Sequence, residues 1–462
     1  AFSQLYEGLE VWPSSLTVQL NEEGHVEEVY GAYVPTPTEV ETSPGVLESK
    51  ARSIANEYLR SQRVPNSPSP GNFDVELLIH APVSGTPRLA YSLHAHHLSG
   101  LDWRVFVDAH TGKVLSALNY ICSAAVKGLA VDPFGHQQSV ELWLEDGSFA
   151  MVDTTKSMYQ PAKSDPPGLK STFGGIFVYD ANNVSPKQRI VPYTPSLISS
   201  SASDSGFGPD AVSASVNLSK IYDYYEIRHE RHSIDGRGGN IIGIVNVPLA
   251  NAYWQNGIIS LGNVGNYARA LDVVSHEVTH GVIESTADLI FRDQSGAISE
   301  AFSDIFGEAA EAFHNQGSPD WAVGTLLNNP LRNLRAPSSI EIVPGRPYPS
   351  RMSEFIPPSD PLLDTLPGRD NGGVHLNSTI ISHAFYQLAE GLPESISLLS
   401  AERIFYRALT TKLQKQAQFV DCRIACVRSA EELFGLGSSE ARQTALAFSA
   451  VEIFDQIPLP EQ

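Results

Sequence analysis

The stretch VVSHEVTHGV, residues 273–282, places two histidines four positions apart, and this spacing constrains the chain more than any other feature of it. Residues three and four apart share one face of an α-helix, so a helix here directs His276 and His280 to one point with Glu277 beside them. The spacing fits two imidazole ligands of one metal ion. The alternative is an ordinary amphipathic helix whose histidines are solvated or buried, and a third ligand decides between the two.

A second helical pattern, SGAISEAFSDIFGEAAEAF, carries a carboxylate at every fourth position: Glu300, Asp304 and Glu308. Taken alone, such a stripe is usually a solvated helix face. The segment between the two patterns is short, so the second helix can pack antiparallel to the first and present Glu300 to the same metal. Two imidazoles and one carboxylate leave the fourth position of Zn²⁺ open, which is the arrangement of a catalytic site.

The chemistry expected of such a site is hydrolysis. Zinc lowers the pKa of a bound water toward about 7. Glu277 is placed to take the proton from that water and to pass it to a leaving group.

These motifs resemble the thermolysin family of zinc metallopeptidases, in which H-E-x-x-H is followed about twenty residues later by an E-x-x-x-D helix. The likeness continues through VYDA, IYDYYE, NAYWQNG and DNGGVHLNS, and it extends from about residue 125 to 455. The resemblance implies that Glu300 is the third zinc ligand. It also implies that Asp304 accepts a hydrogen bond from His276 and fixes the tautomer of that ring.

The same resemblance assigns further site residues. In RDNGGVHLNS, His375 is expected to stabilise the oxyanion and Asp370 to position it, while Gly-Gly permits a close backbone approach. Asn251 and Ala252, in NAYWQNG, are expected to bind the substrate backbone by strand addition. Arg351, in SRMSEF, is expected to be the substrate-clamping arginine, shifted by one position from the family pattern.

One departure bears on activity. The family commonly has a Tyr that assists the oxyanion eleven residues after the second histidine, and this chain has Phe291 there. Phe291 and the shifted Arg351 leave open a second reading, a zinc-occupied but catalytically weak binding protein that retains its pro-module. An intact Glu277 favours the enzyme, because a site used only for binding needs no base. A metal-independent structural protein leaves the ligand set unexplained.

The resemblance also implies a structural Ca²⁺ site and a hydrophobic specificity pocket. The calcium ligands are expected to be Asp272, Glu308, Glu311, Asp320 and the carbonyl of Ala322. The pocket, which would accept a bulky apolar residue after the scissile bond, is expected to include Val264, Tyr267, Val273 and Val323. Without the resemblance, these residues read as surface charges and core.

The patterns along the chain predict an α+β protein in three parts. Residues 1–122 contain a hairpin signal, one helix and alternating strands, and they resemble the family's propeptide. Residues 123–270 are rich in strand signals, and residues 271–462 in helical ones. The resemblance implies a β-rich lobe and a helical lobe with zinc in the cleft between them.

Charge narrows the range of partners. The formal net charge of -21 argues against nucleic acid and anionic membranes, since both require basic patches. No stretch approaches 18 uninterrupted apolar residues, and AFSQLYEGLEVW lacks the features of a signal peptide. We expect a secreted monomeric endopeptidase that acts on proteins and peptides. Its own propeptide would inhibit it until a cut near residues 119–127.

Overall fold

A computed structural model describes residues 2–21, 24–32, 34–37, 39–61, 73–82, 85–97, 101–119, 123–185, 193–327 and 329–455 of the chain. The chain divides into two compact units. The first comprises residues 1–124 and 144–148, and the second comprises residues 125–143 and 149–462. Among the described residues, no helix is long and apolar enough to cross a membrane.

The first unit is a seven-stranded sheet with one helix. Its elements are β1 (Phe2–Tyr6), β2 (Leu9–Leu20), β3 (Val26–Ala32), α1 (Glu48–Ser61), β4 (Asp74–His80), β5 (Arg88–His97), β6 (Leu101–Asp108) and β7 (Val114–Asn119). The strand order is β1-β2-β4-β5-β6-β7, with β3 paired to β2. Ala51, Ala55 and Leu59 recur every fourth residue on α1 and join sheet residues in one core. The hairpin, the helix and the strands predicted for this segment are confirmed.

The second unit begins with strands and one long helix. These elements are β8 (Ala124–Val131), β9 (Gln137–Glu145), β10 (Ser148–Ala150), β11 (Val152–Asp153), β12 (Ile176–Asp180), β13 (Ser196–Leu197), β14 (Ser199–Ser200), α2 (Pro209–His229), β15 (Ile241–Val247), β16 (Ala252–Gln255) and β17 (Ile258–Gly262). One sheet has the order β14-β10-β9-β8, and the other has the order β11-β12-β15-β17-β16 with β13 on β12. The second order leaves β16 at a sheet edge, paired on one side only among the described strands.

The remainder of the second unit is helical. It contains α3 (Leu271–Glu284), α4 (Asp293–Asn315), β18 (Ala322–Val323), β19 (Arg332–Asn333), β20 (Glu341–Val343), β21 (Arg346–Pro347), α5 (Asp370–Tyr386), α6 (Leu398–Thr411), α7 (Phe419–Phe434) and α8 (Ser439–Ala450). The helical signals predicted for residues 271–462 are confirmed. The helix α4 begins at Asp293, two residues before the pattern SGAISEAFSDIFGEAAEAF, and polar residues form its first turn.

The start of α5 differs most from a regular helix. The backbone of residues 369–373 lies in the left-handed region, with φ of 91° at Gly372 and 86° at Gly373. A Cβ atom at Gly372 would lie 2.0 Å from Oδ1 of Asp293, so glycine is required there on two grounds. This left-handed turn precedes His375 and sets where the helix begins.

The close packing of α3 on α4 positions the functional residues. Ser275 on α3 donates a hydrogen bond to the carbonyl of Phe306 on α4, at 3.1 Å. Val274 and Phe302 are fully buried in the common core. Gly307 faces α3 so closely that an added Cβ would lie 2.7 Å from the carbonyl oxygen of Asp272. The two helices therefore approach with almost no space between their backbones.

We expect Gly307→Ala to force α3 and α4 apart and to lower the free energy of unfolding by about 1–3 kcal/mol, the usual cost of overpacking. Denaturant unfolding measures this change. Gly317→Ala is the matched control, because the nearest atom to its added Cβ lies 3.8 Å away. Equal stability of the two variants would show that α3 and α4 leave room for a methyl group at Gly307.

Candidate metal centre

The helices α3 and α4 bring three ligand side chains together. His276 and His280 lie one turn apart on α3, and Glu300 approaches them from α4. The Nε2 atoms of the two histidines are 3.0 Å apart. Nε2 of His276 lies 3.4 Å from Oε2 of Glu300, and Nε2 of His280 lies 3.2 Å from Oε1 of Glu300. One atom from each residue thus converges on a single point.

The cluster fits a tetrahedral divalent cation. Zn–N bonds of about 2.0–2.1 Å at tetrahedral angles separate two ligand nitrogens by roughly 3.3 Å, close to the observed spacing of the two rings. Oε2 of Glu300 is buried and has no hydrogen-bond partner among the described residues. A buried, unsatisfied carboxylate oxygen is costly, and a cation at this point would satisfy it. The donor set of two nitrogens and one oxygen is typical of catalytic zinc.

Asp304 supports the cluster from behind. Its Oδ1 accepts a hydrogen bond from Nδ1 of His276, at 2.9 Å. Burial alone would lower the pKa of His276, but Glu300 and Asp304 outweigh it and raise that pKa to about 10. Glu300, Asp304 and Glu308 are at most 1% exposed. The reading of this stripe as a solvated helix face is therefore wrong.

Arg332 on β19 joins the cluster, although no sequence pattern indicated it. Its Nε and Nη2 atoms donate to the two oxygens of Asp304, at 2.6 and 2.7 Å, and Nη2 lies 3.7 Å from Glu300. Burial raises the pKa of Asp304, but Arg332 and His276 hold it below the usual value. The role expected for Asp304 could have indicated such a residue, because a buried aspartate beside a metal ligand needs a positively charged partner.

The assignment of Arg351 is corrected. Arg351 is half exposed, and its guanidinium faces Glu354 at 3.1 Å and Glu452 at 4.0 Å. It is absent from the lining of the metal-containing cavity, whereas Arg332 is part of it. The Arg-Met-Ser letters around Arg351 resemble the family pattern, but this segment follows β21 and turns toward the C-terminal helices. The cleft arginine is Arg332.

His375 and Asp370 form a pair at the mouth of the cluster. Oδ1 of Asp370 lies 2.5 Å from Nδ1 of His375, and Oδ2 accepts the backbone N–H of His375 at 3.0 Å. Nε2 of His375 points toward Oε1 of Glu300, at 3.5 Å. Burial lowers the pKa of His375, while Glu300 and Asp370 outweigh it and raise the pKa above the usual value. The ring of Phe291 stands edge-on to His375, with centroids 5.9 Å apart.

A cavity of about 590 Å³ opens over the cluster. Glu277 lines it beside the two histidine ligands, and so do Asn251 and Ala252 at the start of the edge strand β16. Of the predicted pocket residues, Tyr267, Val273 and Val323 line the cavity, whereas Val264 is 57% exposed and lies outside it. The further residues on its wall include Ile283, Leu289 and Leu331.

A second cluster of acids lies farther along the same two helices. Oxygens of Asp272, Glu308 and Glu311 converge within 4.8 Å. Burial and neighbouring carboxylates raise the pKa of Asp272 to about 6, that of Glu311 to about 7 and that of Glu308 well above its usual value. Asp320 contributes to all three shifts, and its Oδ1 accepts the backbone N–H of Ala322 at 2.9 Å. Such uncompensated negative charge is suited to a hard divalent cation.

We expect Asp304→Asn to weaken metal binding at the histidine cluster by about 10–100-fold, because an amide cannot fix the His276 tautomer and leaves Arg332 unbalanced. Competition with a chromophoric chelator measures the affinity. Asp455→Asn is the matched control, an identical change at an exposed position far along the chain. Wild-type affinity in Asp304→Asn, with folding verified by circular dichroism, would contradict the assigned role.

Comparisons with known proteins agree with this geometry. The family model described as the catalytic domain of thermolysin metallopeptidases matches residues 127–284, and the model of their α-helical domain matches residues 287–453. A thermolysin of Alicyclobacillus acidocaldarius is 29% identical over 98% of this chain and 83% of its own length. Neutral protease B of Bacillus subtilis is 29% identical over 98% of this chain and 81% of its own length.

A solved structure is also similar. The precursor of protealysin, a metalloproteinase from Serratia proteamaculans, has a TM-score of 0.52 and 29% sequence identity. The match covers 60% of this chain and 87% of that one. The two family models together span the residues of the His276, His280 and Glu300 cluster and most of the second unit. The chain therefore belongs to the thermolysin family of zinc metalloendopeptidases.

Proposed function

We propose that this chain is the zymogen of a secreted neutral endopeptidase that cleaves peptide bonds before bulky apolar residues. The observation that carries the proposal is the position of Glu277 in one cavity with His276, His280 and Glu300, next to the edge strand β16. Hydrolysis needs a metal site with an open side, a base and a way to hold an extended peptide. All three are provided by residues of the second unit.

His276, His280 and Glu300 would hold the zinc ion. When bound, zinc polarises the peptide carbonyl and lowers the pKa of a water molecule. Glu277 directly follows a ligand on α3 and is 6% exposed, and its carboxylate lines the cleft. This carboxylate accepts the proton of the attacking water and delivers it to the leaving nitrogen.

His375 and Arg332 also line the cavity and carry hydrogen-bond donors close to Glu300. Asp370 accepts from Nδ1 of His375, which holds Nε2 toward the cluster. The raised pKa of His375 favours a proton on this nitrogen. A donor in this position stabilises negative charge as it develops on the carbonyl oxygen of the substrate.

The substrate is held by strand addition. Only one side of β16 is paired, with β17, among the described strands. An extended peptide can therefore add to its open side and present alternate side chains to the cleft. Val273, Val323 and Leu331 form an apolar wall close to the cluster. This wall is proposed to receive the side chain that follows the scissile bond.

Residues 1–122 are proposed to be the inhibitory propeptide. The first unit has its own hydrophobic core, as expected of a module that folds and is later removed. The proposed cut near residues 119–127 includes the position where the two compact units separate, after residue 124. The likeness to the precursor of protealysin supports the same reading. Secretion is proposed from the family, since its named relatives are bacterial neutral proteases.

After removal of residues 1–122, we expect the wild-type chain to hydrolyse a blocked peptide with Leu or Phe after the scissile bond. Glu277→Gln should reduce kcat by about 100-fold or more, the scale of general-base catalysis, without loss of bound zinc. Rate and metal content are measured on one sample. Glu341→Gln, the same change at an exposed strand position outside the cleft, serves as the control.

One observation favours a second function. Phe291 occupies the cleft with a ring that offers no hydrogen-bond donor, and its edge-on contacts with His280 and His375 fill the space beside the cluster. A zinc-occupied binding protein of low activity would have such a site. A folded, zinc-loaded and processed chain that hydrolyses none of the peptides would establish this second function and reject the first.

The acid cluster is proposed to bind Ca²⁺. Asp272 belongs to α3, Glu308 and Glu311 belong to α4, and Asp320 with the Ala322 carbonyl would complete the ligand set. Oε1 of Glu308 is buried without a hydrogen-bond partner among the described residues, which is the condition that a cation relieves. The ion would join the two helices that also hold the zinc ligands.

Stability without calcium should fall as pH rises from about 5 to 8. The pKa values of Asp272 and Glu311 are raised to about 6 and about 7, so the folded state retains protons that the unfolded state has released. Calcium should reverse this loss. At a hundredfold excess over its Kd it adds about 2.7 kcal/mol, and the gain in Tm should be larger at pH 8 than at pH 5.

Thermal unfolding at constant zinc, with and without calcium, measures this gain. Glu311→Gln should reduce the calcium-dependent gain at pH 8, whereas Glu341→Gln, at an exposed strand position, should leave it unchanged. An equal gain at both pH values would contradict the assignment of the acid cluster as the calcium site.

A further inference from the structure

The cleft has two chemically different ends along α3. Val273, Glu277, His280 and Glu284 follow one another at spacings of three or four, and all four line the cavity. At 1.5 Å per residue, this face spans about 16 Å from Val273 to Glu284. The Val273 end is apolar. The Glu284 end carries the carboxylates of Glu284 and Asp288.

The edge strand β16 runs along the cleft in the same direction as α3. Near its start, the hydroxyl of Tyr267 donates to the carbonyl of Ala250, at 3.1 Å, and Tyr267 precedes α3 closely in the chain. Near its end, Nε1 of Trp254 donates to Oε2 of Glu284, at 2.5 Å. The Trp254 ring also covers Gly281, where an added Cβ would lie 2.8 Å from it. The strand therefore leads from the apolar end of the cleft to the acidic end.

This direction fixes which part of a substrate meets the acids. With the apolar wall as the proposed site of the residue after the scissile bond, the peptide adds antiparallel to β16, and its amino end lies at Trp254 and its carboxyl end at Asn251. Glu284 lies one helical turn beyond His280, about 6 Å along α3. An extended chain advances about 3.3 Å per residue, so Glu284 faces the peptide about two residues before the scissile bond.

The Glu284 end of the cleft carries two carboxylates and one neutralising lysine. Glu284 is exposed, and the only hydrogen bond that the described residues make to its carboxylate comes from the uncharged Trp254 indole. Asp288 is paired with Nζ of Lys415, and the backbone carbonyl of Lys415 is held by the N–H of Ile290 at 2.8 Å. Arg332, the cation that lines the cavity, is engaged with Asp304 near the apolar end. Lys415 thus neutralises Asp288 and leaves Glu284 as the free charge.

We propose that Glu284 selects substrates that carry Lys or Arg within about two residues before the scissile bond. Asp288 lies nearby, but its ion pair with Lys415 neutralises its charge. The proposal rests on the endopeptidase function and extends it from an apolar preference after the scissile bond to a cationic preference before it. The substrate class is then a peptide with a basic residue followed closely by a bulky apolar one.

The test uses the processed chain and a set of blocked peptides with Leu after the scissile bond. Each of the three preceding positions carries Lys, Gln or Glu in turn. We expect kcat/KM for Lys to exceed that for Glu by about two- to fivefold at the second position, the scale of an exposed ion pair. The ratio should decline toward one between low salt and about 0.5 M salt, since exposed charges are screened.

Two variants should move this ratio in opposite directions. Glu284→Gln keeps an acceptor for Trp254 and should bring the Lys-to-Glu ratio close to one. Lys415→Gln frees Asp288 and should raise the ratio above that of the wild type. Glu341→Gln removes one negative charge outside the cleft and should leave the ratio unchanged. General damage to the enzyme cannot produce opposite changes in a ratio measured on the same sample.

A ratio of one in the wild type, or a ratio that neither variant changes, would overturn the proposal while the endopeptidase function stands. Failure to cleave any of the peptides would overturn both. Lys415 and Asp288 are each about half exposed or more, so the Lys415→Gln result remains informative if Glu284→Gln folds poorly.

Discussion

The antiparallel contact between α3 and α4 is the constraint on which the rest of the second unit depends. The two helices meet at Gly307 with no space for a side chain, and they bury charged groups along the whole contact. One end holds Asp272 and Glu308, and the other holds His276 and Glu300. Burying like charges in an apolar core is unfavourable unless counter-ions are present. Cations bound at both ends, as proposed, would link the packing of this pair to metal binding, and Arg332 neutralises Asp304 between the two ends.

A short two-stranded ribbon, β18 paired with β19, connects these two ends and contributes residues to the wall of the cleft. Backbone N–H groups of Trp321 and Gly324 donate to Glu308 and Asp272, which ties the ribbon to the acid cluster. The strand β18 then pairs with β19 so that Val323 lies opposite Arg332. The same ribbon thus contributes an apolar wall residue and the buried arginine. Because Glu308 and Asp272 anchor the ribbon, they also help to fix the position of Arg332.

The cleft has a regular helix as its floor, and its rim is formed by an edge strand and by a turn with left-handed backbone. The floor is α3, which carries Val273 of the apolar wall together with His276, Glu277, His280 and Glu284. The rim is the edge strand β16 on one side and the left-handed turn before His375 on the other. Because β16 follows α3 in direction, an extended peptide added to β16 would pass these groups in order. The order of apolar and charged side chains along α3 would then set which substrate side chain is preferred at each position.

Local periodicity was enough to predict the helices, the H-E-x-x-H face and the α+β division of the chain, because these depend on residues within a few turns of one another. The resemblance to a family assigned Glu300 as the third ligand. It also added Asp304, His375 and Asp370, which the fold then brought to the cluster. Arg351 was assigned because the letters around it matched the family pattern. Arg332 was not considered, because its position beside Asp304 is set by the pairing of β18 with β19. Val264 was misplaced for the same reason. Which residues share a helix face follows from the chain itself, but which residues from distant segments share a cavity is decided only when strand pairing and helix packing fix their separation.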